Sequence, residues 1–214
     1  SVAAGEGKVF FGAMDGAVYA LDVTTGSLAW KSQLSWGIGF SSAPVYADSK
    51  VMLGGRNGVF YALDPNTGAT LWEYDVSSPV LQTAAWNNGK VYFGAMDVRV
   101  YAIHTADGSL AWQSEKIPGM AFKDYWPVIY DGKVFVRPVG IGGIEPGPPF
   151  TYLWDHLSDF DWPWYMANGP AIAEGRLTDV PEVMSAQDQV MADYQANPGN
   201  YTKNLFILDD PPGE

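Results

Sequence analysis

The stretch "YALDVTTGSLAW" at residues 19–30 returns as "YALDPNTGATLW" at 61–72 and as "YAIHTADGSLAW" at 101–112. A chain that repeats one phrase three times folds as an array of like units, and the spacing limits which array. Aligned on a shared Lys-Val start, Lys8, Lys50, Lys90 and Lys133 stand 42, 40 and 43 residues apart (50−8, 90−50, 133−90). A period near forty belongs to a propeller blade or to a helical array. The residues inside the period decide for strands: "KVFFGA", "KVMLGG", "KVYFGA" and "KVFVRP" are short, rich in β-branched and aromatic side chains, and bounded by turn signals. Asp15-Gly16 and Asn57-Gly58 follow the first two and suit two-residue type I′ hairpins. The next strand is "AVYALD" or "VFYALD"; Thr25-Gly26, Thr67-Gly68 and Asp107-Gly108 then turn the chain into a strand carrying Trp30, Trp72 or Trp112. A fourth strand precedes each unit, as in "SAPVYAD" (42–48) and "WPVIYD" (126–131). The fold class is therefore all-β, a partial β-propeller of four-stranded antiparallel blades.

Composition narrows the partners. Twelve Lys and Arg against 24 Asp and Glu give a net charge of −12, which argues against nucleic acid or an anionic membrane surface. The absence of cysteine removes disulfides, thiolate metal sites and Cys nucleophiles. No window approaches the roughly 18 uninterrupted apolar residues of a membrane helix. Ser1 opens the chain without a signal-peptide pattern, so the sequence reads as a mature or internal piece.

Ala20-x-Asp22-x-x-Thr25-Gly26-x-x-x-Trp30 and Ala62-x-Asp64-x-x-Thr67-Gly68-x-x-x-Trp72 resemble the tryptophan-docking motif of the pyrroloquinoline quinone (PQQ) repeat. That family comprises quinoprotein dehydrogenases and cofactor-free relatives, among them the periplasmic lipoprotein of the outer-membrane β-barrel assembly machinery. The resemblance implies that each Trp packs on the neighbouring blade, that each Asp holds its turn, and that the protein works in the periplasm or outside the cell. Physics agrees, because Trp offers the largest apolar area for covering a flat blade, and Asp before Thr-Gly bonds readily to the turn backbone. The third copy, Ala102-x-His104-x-x-Asp107-Gly108-x-x-x-Trp112, departs at the Asp and Thr, and Val98 replaces the hairpin glycine of Gly16 and Gly58. It reads as a weaker blade held mainly by its Trp.

The fourth unit is interrupted. After "GKVFVRPV" (132–139) the matching strand returns only as "NLFILDDPPGE" (204–214), with Asp209 and Gly213 in the places of Asp22 and Gly26. Residues 1–139 thus hold three blades and half of a fourth, 140–203 an insertion, and 204–214 the returning strand. Three blades and three strands leave a ring open, so the sequence predicts a piece of a longer polypeptide, or two chains sharing one ring. The insertion starts with "GIGGIEPGPP", passes through a run crowded with Phe150, Tyr152, Trp154, Phe160, Trp162, Trp164 and Tyr165, and ends in "DVPEVMSAQDQVMADYQANPG". The last part reads as an amphipathic helix capped at Asp179 and stopped at Pro198-Gly199.

Few residues offer chemistry. His104 and His156 are the only histidines, too few for a multi-His metal site, and no nucleophile elbow accompanies them. Asp155, Asp159 and Asp161 cluster oxygen donors of the kind calcium takes, yet their spacing is not that of an EF-hand, and capping or solvation explains them as simply. Asn200-Tyr201-Thr202 fits a glycosylation triplet that such short patterns often meet by chance. Trp154, Phe160, Trp162, Trp164 and Tyr165 either form the insertion's own core or expose an apolar patch to a protein partner or a sugar. The function expected is a non-catalytic protein-binding scaffold with the insertion as contact surface. The alternative, a piece of a PQQ-dependent alcohol or sugar dehydrogenase, would bring PQQ and calcium; neither a calcium-ligand set nor a catalytic Asp maps onto this chain.

Overall fold

The computed structural model describes residues 1–35, 38–118, 121–138 and 205–211, together with Ala196. They form four antiparallel sheets in chain order. Sheet 1 contains β1 (Ala3–Gly5), β2 (Lys8–Gly12), β3 (Ala17–Asp22) and β4 (Leu28–Gln33). Sheet 2 contains β5 (Val45–Ala47), β6 (Lys50–Gly54), β7 (Val59–Leu63) and β8 (Thr70–Asp75); sheet 3 contains β9 (Ala85–Asn87), β10 (Lys90–Gly94), β11 (Val100–His104) and β12 (Leu110–Gln113). Sheet 4 has three strands, β13 (Val128–Tyr130), β14 (Lys133–Val136) and β15 (Phe206–Asp209). Within each sheet the strands pair in sequence order, the meander of a propeller blade.

Register shows that the units are one design. Lys8 pairs with Asp22, Lys90 with His104 and Lys133 with Asp209, so the returning strand β15 takes up the frame that β3 and β11 hold in their sheets. In sheets 1 to 3 the Ala faces its Trp directly (Ala20–Trp30, Ala62–Trp72, Ala102–Trp112), and a bulge follows that Ala each time. The bulge re-aims the strand end into the turn that carries the motif acid. Sheet 4 places Ile207 where the others have Ala.

The type I′ hairpins expected at Asp15-Gly16 and Asn57-Gly58 are not what forms there. Only the glycines, at φ 82 and 81, are left-handed, and the first loop closes through Ala13 N–H to Ala17 O and Gly16 N–H to Ala13 O. This is a three-residue loop ending in a left-handed glycine. Both residues are left-handed instead at Glu6-Gly7, Asp48-Ser49, Asn88-Gly89 and Asp131-Gly132, the turns between the first and second strands of each sheet. Val98 keeps the conformation of the glycine it replaces, with φ 57 and its N–H on Ala95 O at 3.1 Å. Its side chain is buried, which offsets the strain of a β-branched residue in that region.

The sheets pack face to face in three clusters. Phe10, Val18, Ala20, Trp30 and Phe40 meet Val51, Leu53, Tyr61 and Leu63 between sheets 1 and 2. Met52, Phe60, Ala62 and Trp72 meet Val91, Phe93, Tyr101 and Ile103 between sheets 2 and 3, where the Phe60 and Phe93 rings stack 4.2 Å apart. Tyr92, Val100 and Ala102 meet Val134 and Val136 between sheets 3 and 4. The helix expected after Asp179, and the insertion from residue 140 to 203 apart from Ala196, lie outside the described residues.

Candidate interaction site: the joints between sheets

The motif acids are built into turns. Asp22 Oδ1 accepts from Thr25 N–H (2.7 Å), Thr25 Oγ1 (2.9 Å) and Thr24 N–H (3.0 Å). Asp64 repeats this with Thr67 N–H (2.8 Å), Asn66 N–H (2.8 Å) and Thr67 Oγ1 (3.0 Å). These donors, the Thr25 and Thr67 backbone N–H groups first, hold both carboxyls below their ordinary value. At the third turn His104 brings no carboxylate, and Asp107 caps instead, accepting from Ser109 Oγ and N–H at 2.7 and 2.9 Å. The backbone bond that closes the turn is the same in all three: Gly26 N–H to Asp22 O, Gly68 N–H to Asp64 O and Gly108 N–H to His104 O, at 2.8 to 2.9 Å. The third turn has moved its cap without changing its shape.

The second and third of these turns are also the seats of the preceding sheets' tryptophans. Trp30 Nε1 donates to Pro65 O and Trp72 Nε1 to Thr105 O, both at 3.0 Å. Gly68 (φ +73) and Gly108 (φ +78) lie beneath the two indoles; a methyl there would stand 2.6 Å from Trp30 Cε3 and 2.8 Å from Trp72 Cδ2. Gly26 has a similar φ, +70, but a methyl placed there would have nothing described within 4 Å. Gly26→Ala is therefore expected to cost only the left-handed strain of about 1–2 kcal/mol. Gly68→Ala must displace Trp30 as well, so its thermal unfolding midpoint is expected to fall clearly further; equal midpoints would mean the indole seat is not tight.

The third joint departs from this pattern at a residue the sequence did not single out. Trp112 Nε1 donates to a carboxylate, Asp210 Oδ1, at 2.9 Å. The same carboxylate takes Lys90 Nζ at 2.7 Å and the Tyr92 hydroxyl at 2.7 Å, and both charged side chains are about nine-tenths buried. Burial pushes the Asp210 carboxyl up, but the bonds from Lys90, Trp112 and Tyr92 outweigh it and hold the group below its ordinary value. Burial, then the bond to Asp210, pushes the Tyr92 hydroxyl far up, so it stays a donor. Asp210 follows motif Asp209 just as Pro65 follows Asp64. In the earlier sheets that position offers its backbone, so the pattern gave no reason to look at its side chain. Asp209 itself is exposed and pairs with Lys133.

A second set of ties lies at the first strands. Tyr46 OH donates to Glu6 Oε1 at 2.7 Å, and Trp86 Nε1 to Asp48 Oδ2 at 2.9 Å, each linking a sheet to the preceding sheet's tight turn. Among the described residues no group of three or more His, Asp or Glu is arranged to hold a metal, and no helix is long and apolar enough to cross a membrane. Asp155, Asp159 and Asp161, His156, Gly213, and the aromatic set Trp154, Phe160, Trp162, Trp164 and Tyr165 lie outside the described residues.

Meander sheets stacked face to face in one repeated register, with an indole crossing from each of the first three to the next, define a β-propeller of the PQQ-repeat type. The chain belongs to the family of the outer membrane protein assembly factor BamB, whose profile matches residues 14–141. Among solved structures it is similar to BamB from Moraxella catarrhalis, at 25% identity and TM-score 0.50 over 60% of this chain and 39% of that one. The chain therefore spans about two fifths of that relative's length. The computationally designed Ika8 protein matches with TM-score 0.54 at 21% identity, over 63% of this chain and 41% of that one. The quinohemoprotein alcohol dehydrogenase ADHIIG of Pseudomonas putida HK5 matches with TM-score 0.50 at 17% identity, over 67% of this chain and 29% of that one. These last two likenesses concern the fold alone. No curated protein sequence matches the chain.

Proposed function

We propose that this protein is a non-catalytic propeller that binds other proteins in the bacterial envelope, within the work of outer-membrane protein assembly. The observation that carries this reading is the match of most of the repeat to the assembly-factor family. The fate of the repeat's own acids supports it: Asp22 and Asp64 spend their lone pairs on turn amides and hydroxyls, and Asp210 on a buried Lys, Tyr and Trp. Groups so engaged hold sheets together and have little capacity left to move protons. The contact surface is assigned to the insertion, residues 140–203, because it interrupts the repeat and carries nine acids against two bases beside its aromatics. The periplasm is the compartment that fits an assembly role.

Two measurements test this. Incubated with PQQ and calcium and supplied with simple alcohols or sugars, the protein is expected to reduce no dye; turnover would establish the dehydrogenase reading instead. For the contact, residues 140–203 are replaced by a short hairpin and both forms are used to retain envelope proteins. Proteins held by the full chain and lost by the shortened one support the assignment, whereas equal recovery moves the contact onto the sheets.

A further inference from the structure

The three joints between sheets are fastened alike except in what accepts the bonds. At the first, Trp30 takes the carbonyl of Pro65, and Lys8 Nζ reaches Asn66 Oδ1 at 2.9 Å. At the second, Trp72 takes the carbonyl of Thr105, while Lys50 turns back to Asp48 O in its own sheet. At the third, the matching lysine and indole, Lys90 and Trp112, meet on one side chain, Asp210, and the Tyr92 hydroxyl joins them. A backbone carbonyl and an amide oxygen accept in the same way across the whole pH range of a folded protein, whereas a carboxylate gives up its charge in acid. One joint of the three is therefore held by a group that titrates.

We propose that the joint between sheets 3 and 4 is an acid-operated latch: protonation of Asp210 releases β15 and the residues just after it from sheet 3, while the joints among sheets 1, 2 and 3 stay closed. Lys90 and Asp210 are each about nine-tenths buried. A neutral Asp210 leaves the Lys90 ammonium buried without a counter-charge, the costly half of a broken ion pair. Acid also keeps that amine protonated, so its relief is water, which reaches it when residues 209–211 swing away. The second bond of Lys90 there, to Pro211 O at 3.4 Å, goes with the same movement. The other charged groups around the latch do not oppose this. Tyr92 on β10 stays neutral in acid. His104, opposite Lys90 on β11, is cationic there and adds to the repulsion, and Lys133 pairs with Asp209 at the surface. Asp22, Asp64 and Asp107 also take up protons in acid, but their partners are exposed turn amides and hydroxyls, so no buried charge is stranded in sheets 1 to 3. Burial raises the Asp210 carboxyl, yet the bonds from Lys90, Trp112 and Tyr92 outweigh it and hold the folded value below 3.8. The closed state is thus fully favoured above that value and is lost as the pH falls through the folded one. This latch stands apart from the function proposed above.

The test is hydrogen exchange of the full chain, read by mass spectrometry from about pH 5 to about pH 2 with labelling times scaled to the intrinsic exchange rate. The Asp210 N–H, bonded to Gly132 O at 2.9 Å, reports on the latch, and the Thr105 N–H, which makes the same bond to Gly89 O at 2.9 Å, is the reference. Peptides covering residues 206–210 are expected to lose protection by about tenfold or more in acid, while those covering 59–63 and 100–105 keep theirs. Asp210→Asn keeps the shape and removes the charge, so it is expected to open the same peptides at neutral pH. Adding Lys90→Met removes the stranded charge as well, and the double variant is expected to regain protection and to lose the acid response. Near-ultraviolet circular dichroism checks that each variant is folded; if Asp210→Asn alone is not, the wild-type series and the double variant decide. Residues 206–210 that stay protected until all four sheets exchange together overturn the proposal. Wild-type exchange in a folded Asp210→Asn, or an acid response that survives in the double variant, overturns it equally.

Discussion

Asp210→Ala is expected to cost about 3–5 kcal/mol of unfolding free energy, the usual consequence of removing one partner from a buried ion pair. Lys90 would be left charged and about nine-tenths buried, and the Tyr92 hydroxyl and the Trp112 indole would lose their acceptor in the same step. Chemical denaturation followed by tryptophan fluorescence measures it. The contrast is Asp209→Ala: Asp209 lies in the exposed motif position and pairs with Lys133 at the surface, so its loss is expected to stay within about 1 kcal/mol. If the two variants unfold at the same denaturant concentration, the buried cluster is not holding the joint between sheets 3 and 4. The wild type carries a pH signature of the same contact. Because the Asp210 carboxyl is held below its ordinary 3.8 in the folded state, its contribution is fully present above that value and is lost as the pH falls through the folded value. Asp210→Ala is expected to flatten this part of the acid dependence.

Trp72→Ala is the second large effect, expected at about 3–5 kcal/mol, because it empties a site between two sheets that cannot collapse without separating them. Trp72 is 9% exposed, stacks against Phe60 at 6.3 Å and covers Gly108. Trp72→Phe keeps part of the covering and gives up the bond to Thr105 O, worth about 1 kcal/mol net, so it is expected to fall well short of the alanine variant. Matching losses from Phe and Ala would show that the indole N–H, rather than the packed area, dominates the joint. Thermal or denaturant unfolding separates these outcomes.

How much of this was legible in the sequence follows from which part of a residue does the work. The strands, their order and the forty-residue frame are written in side chains that must be apolar, and β15 (Phe206–Asp209) lies within the stretch "NLFILDDPPGE" that the repeat marks out. The hairpin at Asp15-Gly16 was misread because the dipeptide fits two loops; only the bond from Ala13 N–H to Ala17 O shows that three residues are used. Val98 reads as a lost glycine, yet burial lets it keep the glycine's backbone. Asp210 was missed for a different reason: two of the three joints use a backbone carbonyl at its position, and a carbonyl leaves no mark on residue type.

The register of sheet 4 also bears on the order in which the molecule assembles. Across the second hairpin of sheet 1 the nearest paired residues are Gly12 and Val18, whereas in sheet 4 the corresponding pair is Val136 and Phe206. Closing the longer loop costs about 2 kcal/mol more chain entropy, by the logarithmic dependence on length. Sheets 1 to 3 can form from neighbouring residues, while β15 has to find its place after a search over the whole insertion, so the first three sheets are the template and the fourth is the last to zip. The largely buried ion pair of Lys90 with Asp210 spans 120 residues and forms only when that search ends. The clamp therefore acts as a ratchet on assembly: it adds nothing while the strand is still searching and retains it once it has arrived.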